Sequence, residues 1–162
     1  MINTIIFSDQ GSLTVTFLAS ILIWLMLGGL MVLWYVDGNI KKSLVVKALL
    51  AAVVAWILSL IIKDLLDATR PFSVNGGPPL TLTLPSSSSF PSSHATFAFA
   101  LATMVWLQNK ALGAVYMVGA VIIGIGRVAS NVHFPIDVIG GAILGAFVAL
   151  VMDTVRFKKI FK

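Results

Sequence analysis

The chain has 162 residues, 59% hydrophobic and 10% charged, with a mean hydropathy of +1.03 and a formal net charge of +5. A soluble domain carries roughly 25% charged residues, so this chain has too little polar surface to face water, and its natural solvent is lipid. It has no cysteine, which excludes disulfides, a thiol nucleophile and cysteine-based metal sites; its basic residues are scattered singly between apolar runs, which argues against nucleic acid.

The first apolar run covers about 13–36. It is long, has no basic residue before it and lacks a small-residue cleavage site, so it reads as a retained span rather than a signal peptide. The second run, about 44–66, ends near Lys63, and Arg70 follows seven residues later. If the helix continues, seven residues is nearly two turns and both side chains emerge on one face, with Pro71 ending the helix. A plain helix end, with Lys63 paired to Asp67, is the simpler alternative. Residues 72–90 are rich in turn formers, with Gly76-Gly77-Pro78-Pro79 and serines at 86–89. They read as an exposed loop, either a lid or a plain connector.

Pro91-Ser92-Ser93-His94 opens the third and shortest run, about 94–108. Pro and Ser there can be ordinary capping. Backbone amides at a helix start also attract anions, and His94 adds a group that titrates near neutral pH. The fourth run, about 112–129, ends with Arg127, and the fifth, about 136–155, follows His133-Phe134-Pro135-Ile136-Asp137. Four residues apart at a helix start, Asp137 can accept the Nδ1 hydrogen of His133 and leave Nε2 free as nucleophile or base; a solvated His–Asp pair is the simpler alternative. Gly140, Gly141 and Gly145 predict close helix packing, the last two as a GxxxG pair.

Five such runs predict an all-α, single-domain membrane bundle of about five transmembrane helices over 1–162, since hydrocarbon offers free backbone groups no partner. One side receives Lys41, Lys42, Lys47, Lys110, Arg156, Lys158, Lys159 and Lys162, the other only Lys63, Arg70 and Arg127. The positive-inside rule makes the first side cytoplasmic. The N-terminus, the 67–93 segment and the 130–135 connection then face outward from a plasma (inner) membrane, and the C-terminus is cytoplasmic.

The three outward cations and both histidines thus lie at one level. Cations held close repel, so a pocket of Lys63, Arg70 and Arg127 invites an anion with several oxygens, such as phosphate. Two imidazoles allow one to attack phosphorus while the other protonates the leaving oxygen. With two histidines, only four outward acids (Asp9, Asp64, Asp67 and Asp137) and cations that repel a metal ion, no metal or other cofactor is expected.

Three blocks resemble the signatures of the type 2 phosphatidic acid phosphatase (PAP2) superfamily of membrane lipid phosphatases. They are Lys63 and Arg70-Pro71 with six residues between, Pro91-Ser92-Ser93-His94, and Gly126-Arg127 followed by His133 and Asp137. Order and spacing match over about 60–150. The resemblance implies that His133 is the nucleophile forming a phosphohistidine, that Asp137 orients it and that His94 is the general acid. Lys63, Arg70, Arg127, Ser92, Ser93 and nearby amides would hold the phosphate oxygens. Ser93 stands where the family usually has Gly, and Gly126 where it usually has Ser; neither change removes a group that moves a proton or makes a bond. The family usually has six spans, so the resemblance implies that its first is missing or reduced to the short stretch before Gly11.

The serine run before Pro91, Arg70-Pro71-Phe72 and the compact size are similar to bacterial undecaprenyl diphosphate phosphatases of this family. That implies hydrolysis of undecaprenyl diphosphate to the monophosphate. Phosphatidylglycerophosphate, phosphatidate or lipid A fit the same chemistry, as does a phosphotransferase. A lipid-binding or transport protein is the alternative of a different class. It needs a polar path across the bilayer, and apart from Lys47 near the cytoplasmic edge the central thirds of the runs carry no ionisable residue. The expected partners are a lipid phosphate or diphosphate substrate and membrane lipids.

Overall fold

The computed structural model describes residues 9–36 and 42–154, and among these all regular structure is helical. The elements are α1 (Asp9–Ser20), α2 (Leu22–Val36), α3 (Lys42–Leu65), α4 (Pro71–Asn75), α5 (Ser93–Gln108), α6 (Lys110–Ala129) and α7 (Pro135–Thr154). Lys41, Arg156, Lys158, Lys159 and Lys162 lie outside the described residues.

The chain is an all-α, multi-pass membrane protein. Helices α3, α6 and α7 are each long and apolar enough to cross a bilayer, and α1 with α2 makes a fourth crossing if the pair is one span. Their outer faces carry exposed Ile57, Leu60 and Ile61 on α3, Val118 and Ile125 on α6, and Ile139, Ile143 and Phe147 on α7. Apolar surface of this extent is stable against lipid rather than water.

Helix α5 has 16 residues, about 24 Å at 1.5 Å per residue and short of the roughly 30 Å of hydrocarbon. It sits at the centre, packed against α3, α6 and α7. Ala95, Ala98, Ala100, Leu101, Ala102, Met104 and Val105 are all buried, so the helix is covered by protein rather than lipid. Small residues bring its neighbours close. Ala48, Ala51, Ala52 and Ala55 form one buried stripe on α3. On α7 the expected glycine packing is present. A Cβ on Gly145 would stand 2.3 Å from the Thr96 carbonyl oxygen, and one on Gly141 would stand 2.7 Å from that of Ser92.

Two expectations are corrected. The first run is not one straight helix: it breaks at Ile21, and α1 and α2 meet at a bend of 51°. No proline or glycine marks the place. A side chain entering the backbone ladder does: Arg127 Nη1 donates to Ala19 O at 3.1 Å, a carbonyl that a continuous helix commits to its own amide four residues on. The second correction concerns Arg70. Helix α3 ends at Leu65 instead of continuing, and Pro71 begins α4 rather than ending α3. A residue before proline is pushed out of the α region, so Arg70 is extended (φ −95, ψ 153), while proline suits the first helical position. The 72–90 loop accordingly opens with one helical turn.

These turns put four helix ends at one level: the C-termini of α3 and α6 and the N-termini of α5 and α7. The loop is stitched to the α6–α7 connection there. Leu80 N donates to Ser130 O at 2.9 Å, and Asn131 Nδ2 donates to Asn75 Oδ1 and Gly77 O, both at 3.0 Å. Asn131 holds this place with a left-handed backbone (φ 61), which asparagine tolerates better than most residues.

Candidate active site

At that end lies a cavity of about 420 Å³ lined by Lys63, Arg70, Ser93, His94, Arg127 and His133. Six of the eight residues singled out by sequence therefore share one wall. Ser20 and Trp24 from the bent segment and Thr81, Leu82 and Ser87 from the loop close it. The other two stand behind. Asp137 is buried beneath His133, and Ser92 is fully buried with its hydroxyl unpartnered. Ser92 contributes its backbone instead, its amide donating to Asp137 O at 3.0 Å.

The cations are fixed by carbonyl oxygens, which supply acceptors without cancelling charge. Lys63 Nζ donates to Ser88 O at 2.5 Å and to Ser89 O at 3.3 Å. Lys63 is buried and Asp67 exposed, so the simple helix-end ion pair is not the arrangement found. Arg70 donates through Nε to Ser87 O at 2.8 Å, through Nη1 to Val132 O at 2.9 Å and through Nη2 to Ser88 O at 3.2 Å. The loop serines are thus part of the site and not a plain connector. Ser88 Oγ also donates to Leu66 O and accepts from Ala68 N, tying the loop to the end of α3.

Arg127 is held by Ala19 O, while its Nε is buried without a partner. The residue before it explains how α1 reaches so far. A Cβ on Gly126 would stand 2.9 Å from the Leu18 carbonyl carbon, so the missing side chain lets α1 cross α6 at van der Waals distance. The other departure from the family pattern is accommodated differently, as Ser93 Oγ accepts from Ser59 Oγ at 3.0 Å.

His133 is 3% exposed. Its Nε2 is 3.5 Å from Arg70 Nη1, and since a guanidinium only donates, the neighbour favours a lone pair on Nε2 and the hydrogen on Nδ1. Nδ1 is 3.5 Å from Asp137 Oδ2. That carboxylate oxygen accepts from Phe134 N at 2.8 Å and from Ser89 Oγ at 2.5 Å. Ser89 was not singled out by sequence, where it is one serine in a run of four. Burial lowers the His133 pKa to about 4, the hydrogen bond to Asp137 opposes the shift, and the charges of Arg127, Arg70 and Lys63 add to it. Among the described residues no group of three His, Asp or Glu side chains is placed to share a metal ion.

A second, apolar groove of about 350 Å³ adjoins the cavity, sharing Trp24, Ser93 and His94 with it. Ile23 and Leu27 of α2, Val53 and Trp56 of α3 and Phe97 of α5 complete its walls.

The family model of the PAP2 superfamily matches residues 44–161. The chain belongs to the PAP2 superfamily. It is 34% identical to the bacitracin transport permease protein BcrC of Bacillus licheniformis, over 84% of this chain and 67% of the relative. It is also 34% identical to YbjG of Escherichia coli (strain K12), over 90% of this chain and 68% of the relative, whose name gives it provisionally as an undecaprenyl-diphosphatase. Among solved structures, a PAP2-type phosphatidylglycerolphosphate phosphatase from Bacillus subtilis superimposes with a TM-score of 0.62 at 25% identity. It covers 92% of this chain and 79% of its own. Aquifex aeolicus LpxE shares the fold, with a TM-score of 0.66 over 91% of this chain and 86% of its own. As a PAP2 protein, the chain is a membrane lipid phosphatase by class. The PAP2 match begins after the bent α1–α2 segment, which nonetheless supplies Ser20 and Trp24 to the cavity.

Proposed function

We propose that this PAP2 protein hydrolyses a polyprenyl diphosphate, undecaprenyl diphosphate in the first place, to the monophosphate through a phosphohistidine at His133. The observation that carries the reading is one cavity with three cations and two imidazoles beside an apolar groove that shares Trp24, Ser93 and His94 with it. The cavity suits a phosphate group and the groove suits the chain attached to it.

In the first step His133 Nε2 attacks the terminal phosphorus. The bond from that phosphorus to the bridging oxygen breaks, and the leaving oxygen takes a proton from His94, whose imidazolium form the negative charge of the bound diphosphate favours. Lys63, Arg70 and Arg127, with the start of α5, stabilise the charge on the equatorial oxygens. In the second step water attacks the phosphohistidine, His94 takes its proton, and phosphate leaves with both imidazoles restored. Asp137 keeps the Nδ1 hydrogen in place and stabilises the positive ring formed in between. The cationic lining supplies the charge stabilisation that a metal would otherwise give, so no metal is invoked.

Relatives named as undecaprenyl-diphosphatases support the diphosphate substrate. The fold likeness to a phosphatidylglycerolphosphate phosphatase supports a second reading, with that lipid as substrate. For transport, the word in the name of one relative is the support. Against it, the Lys, Arg, His and Asp residues of α3, α5, α6 and α7 lie toward the helix ends, with Lys63, Asp64, His94, Arg127 and Asp137 at one end and Lys42, Lys47, Lys110 and Asp153 at the other. By the positive-inside rule we place the site on the outer side of the plasma membrane.

The test is phosphate release from a panel of polyprenyl diphosphates, phosphatidylglycerophosphate and phosphatidate in detergent, with a chelator present. Activity on the diphosphate, inhibition by vanadate, and a loss of at least about a thousandfold in His133→Ala are expected, the scale known for removing a nucleophile. Full activity in that variant would remove the nucleophile assignment. Activity that appears only with added divalent ions would remove the metal-free mechanism.

A further inference from the structure

Ser89 has no part in the steps above, yet every polar group it owns is engaged by the site. Its amide donates to Ala68 O at 2.8 Å, and its carbonyl accepts from Lys63 Nζ at 3.3 Å. Its hydroxyl donates to Asp137 Oδ2 at 2.5 Å and stands 3.5 Å from His133 Nδ1. With the backbone fixed on both sides and the residue fully buried, the hydroxyl has little freedom. It does not line the cavity.

The distances rank the contacts. His133 and Asp137 are 3.5 Å apart, longer than a good hydrogen bond, whereas the serine–carboxylate contact is at the short end. A carboxylate has no hydrogen to give, so the serine hydrogen goes to Asp137, and the lone pairs of Oγ remain for Nδ1–H. We infer that Ser89 is a positioning residue for His133, holding the Asp137 carboxylate and the imidazole together so that Nδ1 stays protonated and Nε2 faces the cavity. This inference rests on the phosphohistidine reading and deepens it.

A merely structural serine would not alter the titration of the histidine. The charged and titratable groups facing His133 are Lys63 from α3, Arg70 from the connection after it, His94 from α5, Arg127 from α6 and Asp137 from α7. Removing the hydroxyl changes none of them, but it leaves Asp137 with one donor fewer. More of its negative charge then acts on the ring, which favours the protonated imidazole.

The experiment compares the full-length wild type with Ser89→Ala in detergent, on a polyprenyl diphosphate. The kcat is expected to fall about 10- to 100-fold, the equivalent of a hydrogen bond to a charged group. KM and competitive inhibition by inorganic phosphate should stay within about twofold, a margin of roughly 0.4 kcal/mol. The acid limb of kcat/KM should move to higher pH. Ser89→Cys, close in size with a weak donor, should fall between the two. Wild-type kcat with an unmoved acid limb in Ser89→Ala would overturn the inference. So would a parallel loss of phosphate inhibition, which would make Ser89 a support of the cavity, or failure of both variants to fold. A wild type that hydrolyses no lipid phosphate and traps no phosphohistidine would overturn the underlying reading instead.

Discussion

His133 has its ring pressed from two directions, by burial among three cations and by one carboxylate. The pKa of about 4 means the neutral, lone-pair-bearing form prevails through the ordinary imidazole range near 6.5. For the proposed nucleophile the sign follows: kcat/KM should not lose this group as pH falls through 6.5, only on approach to 4. In Asp137→Asn the partner that favours protonation is gone, so the acid limb should move further down while kcat drops. Substrate ionisation is common to both proteins, and the difference between their pH profiles belongs to the enzyme. A limb that stays in place counts against the pair. The charged and imidazole residues of this cavity were legible in the sequence because Lys63, Arg70, His94, Arg127 and His133 are polar exceptions in an apolar chain. Ser89 was not, because a serine among serines has no such contrast, and its partner Asp137 lies 48 positions away.

The helices were legible as apolar runs, but their interruptions were not. The end of α3 at Leu65 and the extended Arg70 follow from a rule about the residue before proline, which periodicity alone does not register. The break at Ile21 has its cause in Arg127, more than a hundred residues on, so no local pattern could announce it. Close packing of α5 against α7 was legible in Gly141 and Gly145, and it yields a contrast between two glycines. Gly145→Ala would drive a Cβ to 2.3 Å from the Thr96 carbonyl and 2.9 Å from the Ala100 amide, backbone atoms that move only with their helix. Overpacking of this kind costs about 1–3 kcal/mol or more. Gly28→Ala meets nothing within 4 Å and gains helix propensity of about 1 kcal/mol. Thermal denaturation in detergent should show a clear fall in apparent Tm for the first and an unchanged or slightly higher value for the second. Equal behaviour would mean that α5 and α7 are not packed as described.

At the scale of the whole molecule, the bent α1–α2 segment helps wall both the cavity and the apolar groove beside it. Trp24 belongs to both, 68% exposed at their junction. Shortening it should weaken the hold on the chain more than on the phosphate. For Trp24→Ala the expected result is a KM about tenfold higher on a polyprenyl diphosphate, from roughly 1.5 kcal/mol of lost apolar contact. A water-soluble aryl phosphate should change far less, and equal losses on the two substrates would assign Trp24 to the phosphate site alone. Membrane class could be read from composition and helix order from the apolar runs; the groove could not, since Ile23, Val53 and Phe97 become neighbours only after the chain has folded. The groove's walls are apolar and lie on α2, α3 and α5, so on the proposed function a lipid substrate is expected to reach it by lateral diffusion within the leaflet. Turnover should therefore follow the mole fraction of substrate among the surrounding amphiphiles. Diluting mixed micelles with plain detergent should slow the reaction even when the number of substrate molecules per millilitre is unchanged.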